Sequence, residues 1–104
     1  MQRLLHSIAM PAYLIVDIEV HDAEEYEKYK PLASATIAQY KGKYLARAGR
    51  TEVLEGSRTA HRTVILEFPT FDDAKAWWAS EEYAPAKELR QRVATTEMLL
   101  IEGV

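Results

Sequence analysis

The chain has no cysteine, which excludes thiol nucleophiles, disulfides and thiolate metal sites by composition alone. Its four glycines form no phosphate-cradling loop, and neither a nucleophile elbow nor a flavin fingerprint is present. No apolar run approaches the roughly 20 residues needed to span a bilayer, and the expected location is cytoplasmic. Basic clusters are missing too. With a net charge of -3, the basic stripe of a nucleic-acid binder is absent and no nucleic-acid partner is expected. His6, His21 and His61 lie far apart, without metal-helix spacing, so neither a metal nor another cofactor is expected.

What the chain does have is a doubled pattern within 104 residues, 48% of them hydrophobic and 28% charged, enough for one modest core. Tyr13 to Val20 alternates between an apolar row (Leu14, Val16, Ile18, Val20) and a mixed row (Tyr13, Ile15, Asp17, Glu19), which predicts a strand with one face under helices. Asp22 with Glu25 three positions on predicts a helix start. The stripe Tyr26, Tyr29, Leu32, Ile37 and Tyr40 continues that helix to Gly42, with a kink or short break expected at Pro31. Lys43 to Ala48 and Thr51 to Glu55 read as one strand interrupted by a bulge at Gly49.

A loop through His61 leads to the second copy of the pattern. Arg62 to Phe68 alternates as the first strand does, and Thr70 with Asp73 predicts the next helix start. Ala74, Trp77 and Trp78 form its stripe as far as Ser80, with Trp77 read as core. Glu81 to Val93 continues as a second helical piece with Pro85 near its first turn and Leu89 and Val93 buried. Thr96 to Glu102 is the last strand. The order is an α+β, ferredoxin-like βαββαβ domain with a four-stranded antiparallel sheet, over residues 10–104. Met1 to Ala9 lacks this pattern and reads as an N-terminal extension, with Met10 as an alternative start.

Helices on one face leave the other face of the sheet uncovered. That face would carry Tyr13, Ile15, Ile65, Leu99 and Ile101 beside Asp17, Glu19, Glu67 and Glu97, too apolar for water and too charged for a dry core. A second copy packed sheet to sheet would cover it and enclose a partly polar cavity. A homodimer is therefore expected.

Together the run Tyr13 to Ile18, the tyrosines Tyr26 and Tyr29, the segments Gly42 to Gly49, Glu52 to Gly56 and Glu67 to Thr70, Ala76-Trp77 and Ser80 to Tyr83 resemble the DUF1330 family. The resemblance spans Pro11 to Gly103 and implies a dimeric α/β barrel, akin to small monooxygenases and muconolactone-type isomerases, of unassigned function. Ala46 and Ala48 depart from the valine and glycine often found around the arginine. Lys43 follows one glycine where the family often has two.

Three residues are candidates for chemistry. Strand alternation puts Arg47 on the mixed face with Asp17 and Glu67. There its guanidinium either clamps a ligand carboxylate or forms an ion pair with one of those acids. Asp17 and Glu67 carry the matching alternatives, a general base with a raised pKa or a partner for Arg47. Two functions stay open. One is a small cofactor-free enzyme or binder acting on a compact anionic or aromatic molecule between the sheets; the other is a dimerisation or ligand-binding module whose cavity is filled by side chains.

Overall fold

A computed structural model describes residues 10–104; the expectations for Met1 to Ala9 and for the chain start lie outside it. The order is β1 (Ala12–Val20), α1 (Ala23–Gln39), β2 (Lys43–Arg47), β3 (Arg62–Phe68), α2 (Phe71–Ala79), α3 (Ala84–Val93) and β4 (Ala94–Glu102). The four strands form one antiparallel sheet in the order β2-β3-β1-β4. This is the ferredoxin-like arrangement.

Both helix starts form as the sequence predicts. Asp22 Oδ1 accepts from the Glu25 amide at 3.2 Å, and Thr70 Oγ1 from the Asp73 amide at 3.0 Å, each satisfying one of the amides a helix start leaves without a partner. Helix α1 runs unbroken through Pro31, so of the kink or short break expected there the break does not occur. Pro31 is exposed, whereas Tyr26, Tyr29, Ala33 and Ile37 are buried on the other side, so packing outweighs one missing backbone bond. The helix ends with Lys41 in the left-handed region (φ 66) and Gly42 N donating to Ile37 O at 2.8 Å, a closing turn that satisfies a terminal carbonyl. Gly42 is required for space, since a Cβ there would lie 2.6 Å from the Phe68 ring.

The core sits between the helices and one face of the sheet. Leu14, Val16, Ile18, Val64, Leu66 and Phe68 supply its floor, and residues such as Tyr29, Ile37, Trp77 and Val93 its roof. Trp77, 1% exposed, packs on Tyr83 with ring centroids 4.1 Å apart, and its Nε1 donates to Thr36 Oγ1 at 3.0 Å. Removing such a ring from water is worth about 3 kcal/mol. Trp78, by contrast, is half exposed beneath the Lys87 ammonium, 3.8 Å from the ring centroid. Helix α3 passes directly into β4, and Val93 O at that junction accepts from the amides of His21 and Asp22.

Two strand details differ from expectation, and one moves a candidate site residue. Tyr44 is paired with Leu66, Ala46 with Ile65 and Arg47 with Val64, so the extra residue is Leu45, and the bulge lies there rather than at Gly49. Residues 51–55 are not a strand. Ala48, with φ 56, donates to Thr63 O at 2.8 Å and turns the chain away from the sheet edge.

Candidate functional site

The Leu45 bulge reverses the alternation that follows it. Arg47, opposite Val64, consequently lies on the helix side of the sheet, not on the open face with Asp17 and Glu67. Its guanidinium stacks over the Tyr44 ring at 4.3 Å, and Nη2 donates to Ser34 Oγ at 3.4 Å. The expected ion pair with Glu67 or Asp17 is not formed. Glu67 pairs instead with Lys43 at 3.3 Å, and Asp17 with His61 at 2.8 Å.

Asp17 and Glu67 do share the open face, but they stand apart on it. Glu67 is opposite Tyr13, and Asp17 is four residues further along β1, roughly 13 Å away. Burial, and then the hydrogen bond and charge of Glu67, push the Tyr13 phenol up. The three expected site residues therefore divide among three surroundings.

A concavity with a charged wall lies on the open face beside Asp17. It measures about 510 Å³ and is lined by Ile15, Asp17, Glu97 and Leu99 from the sheet and by residues 51–55, Arg58 and Ala60 from the β2–β3 connection. That volume falls in the range of small-molecule pockets. Asp17 and Glu97 are direct cross-strand partners. Glu52 and Glu55 add to them and Arg58 opposes them, so the wall is acidic on balance.

Asp17 is fixed by a two-point contact. Its Oδ1 accepts from the His61 amide and its Oδ2 meets His61 Nδ1, both at 2.8 Å. Burial pushes the Asp17 carboxyl up, but the His61 amide and imidazole outweigh it and hold the group below its ordinary value. The raised pKa expected of a general base is thus not found at Asp17. The same hydrogen bond raises the His61 pKa, helped by the charges of Asp17 and Glu19 and opposed by burial and Arg58. The pair is an ionised acceptor at the cavity wall backed by a readily protonated imidazole.

Comparison with known proteins joins this geometry to a family. Residues 11–104 match the family described as a domain of unknown function, DUF1330. The chain belongs to the DUF1330 family. No match was found among curated proteins. Among solved structures, a protein of unknown function from Rhodopseudomonas palustris is similar at TM-score 0.76 and 14% identity, covering 100% of this chain and 94% of that one. SnoaB, a cofactor-independent oxygenase from Streptomyces nogalater, is similar at TM-score 0.64 and 17% identity, covering 89% and 92%. A dimeric ferredoxin-like protein of unknown function from Thermobifida fusca is similar at TM-score 0.61 and 11% identity, covering 90% and 92%. At these identities the likeness shows a shared fold.

In this DUF1330 chain the sequence reading missed His61 as the partner of Asp17. The signal was available in the pairing of β1 with β3. Ile18 opposite Arg62 places His61 next to Glu19, on the same face as Asp17. Also missed was Arg90, 3% exposed within the helical layer, whose Nε donates to Tyr83 Oη at 3.3 Å, while Tyr83 Oη meets Tyr29 Oη at 2.7 Å. Burial, then the neighbouring Tyr83, push the Tyr29 phenol far up. Among the described residues, no group of three or more His, Cys, Asp or Glu is placed to hold a metal ion, and no helix is long and apolar enough to cross a membrane.

Proposed function

We propose that the protein acts as a homodimer, joined through the open sheet face, that binds a compact, uncharged aromatic molecule carrying a hydroxyl group. The observation that carries this reading is Asp17, held ionised by His61 at the wall of the 510 Å³ open-face cavity. The apolar walls Ile15, Leu54, Met98 and Leu99 suit a ring. The surrounding carboxylates disfavour the anionic ligand that an open-face Arg47 would have served. A low carboxyl pKa suits Asp17 to orient a ligand hydroxyl as a charged acceptor. A retained proton on that hydroxyl makes binding, rather than proton abstraction by Asp17, the primary activity.

The test is titration of the purified dimer with 1-naphthol as probe, beside native mass spectrometry of protein purified gently from its host. Saturable binding is expected, weakened about tenfold by Asp17→Asn, the loss of one charge-assisted hydrogen bond. A wild-type dimer that neither binds the probe nor retains a small molecule overturns the reading. That outcome favours a cavity filled by partner side chains, a reading supported by Leu54 and Leu99, 84% and 62% exposed.

A further inference from the structure

The helix-side surface around Arg47 holds a second constellation, independent of the open-face cavity. Arg47 stands opposite Val64, and Arg62 is the next residue of β3 on the same side. Two guanidiniums thus occupy diagonal positions on neighbouring strands, where long side chains reach one another and like charges repel. The described ion pairs are Lys28–Glu25, Lys30–Glu27, Lys43–Glu67 and those of His61 with Asp17 and Glu19. None involves Arg47 or Arg62.

Their surroundings compensate the charge only in part. Arg47 lies over the Tyr44 ring, and the Arg62 guanidinium lies 5.6 Å from the centroid of Tyr26. Ring faces attract cations without neutralising them. Among the described residues, Arg62 Nε is buried and has no hydrogen-bond partner, a state that buried donors ordinarily avoid. Burial pushes the Tyr26 phenol up, while Arg62 and Arg90 oppose it, so positive potential converges on this spot from β3 and from α3. Both arginines line one crevice of about 30 Å³, together with Tyr26, Lys30 and Tyr44 and with apolar core side chains such as Ile18, Val64 and Trp77. It exceeds the space one water needs and is far below that of a whole organic ligand.

We propose that this crevice is an anion site that takes the carboxylate group of a compact organic acid between Arg47 and Arg62. The guanidinium forks match a planar carboxylate in two-point geometry, and the small volume favours a flat head group over a tetrahedral phosphate. The carboxylate supplies the acceptor that Arg62 Nε lacks and the direct ion-pair partner that neither arginine has, the charge of Glu27 reaching Arg62 only through space. A ligand that binds only the folded chain raises its melting temperature with concentration.

The experiment is a thermal-shift titration with sodium formate and sodium acetate, each replacing chloride at constant ionic strength. A saturable rise is expected in the wild type and in Asp17→Asn. Half-saturation should move at least tenfold higher in Arg47→Met and in Arg62→Met. Where a methionine variant does not fold, Arg62→Lys keeps the charge without the fork and must still weaken binding. The proposal is overturned by a wild type that shows no saturable shift, or by arginine variants that respond as the wild type does. A shift that strengthens in Asp17→Asn and is unchanged in both arginine variants would move the site to the open face and overturn it as well. Inorganic phosphate that shifts the protein at the same concentrations as formate overturns the carboxylate assignment.

Discussion

Both carboxylate oxygens of Asp17 are engaged by His61, the residue at which the long β2–β3 connection returns to the sheet. The pair has a defined pH window. Asp17, with a lowered folded pKa, contributes stability that is present above the unfolded value of about 3.9 and is lost as pH falls through the folded one. His61, with a raised folded pKa, contributes stability that is present below about 6.5 and is lost as pH rises through its folded value. Both contributions are therefore complete between about pH 4 and about pH 6.5. Melting curves of the wild type and His61→Gln across acid and neutral pH should differ most inside that window and converge on both sides. A difference that is constant with pH would show that the contact acts through packing rather than charge.

Among the elements, local chemistry was legible and register was not. The strands of the doubled pattern and both helix starts could be read because alternation, Asp22 and Thr70 act over a few residues. The bulge at Leu45 leaves no such mark, since neither glycine nor charge singles it out. Its consequence is nonetheless the largest departure from the sequence reading, because one inserted residue sends Arg47 to the opposite face. The Asp17–His61 contact escaped for a related reason, as it depends on how β1 pairs with a strand more than 40 positions away. The end of α1 offers a direct test at this scale. Lys41 occupies the left-handed conformation that costs a residue with a Cβ about 1 kcal/mol or more. Lys41→Gly should stabilise the fold by about 0.5 to 1 kcal/mol, read by chemical denaturation, because glycine enters that region freely. A loss of stability instead would mean that the lysine side chain makes a compensating contact.

For the whole molecule, the proposed dimer rests on the open face. Ile15, Leu99 and Ile101 are 38%, 62% and 50% exposed on one side of the sheet, a contiguous apolar surface that a lone chain would leave in water. Sheet-to-sheet packing about a two-fold axis covers each of these residues with the same surface of the partner. The same symmetry would bring Asp17, Glu19, Glu67 and Glu97 towards their own copies, with His61, Lys43 and Arg58 as nearby compensating groups. In the proposed dimer, apolar burial would therefore drive association and carboxylate repulsion would oppose it. Salt screens that repulsion, so the dimer should tighten as ionic strength rises, the reverse of an interface built on ion pairs. Leu99→Glu removes apolar area and adds a carboxylate to each side, and it should give monomers under conditions where the wild type is dimeric. Light scattering over a dilution series at low and high salt measures both effects. A monomeric wild type at micromolar concentration would overturn the sheet-to-sheet dimer. A dimer weakened by salt would show that cross-interface ion pairs, not Leu99 and its neighbours, hold the two copies together.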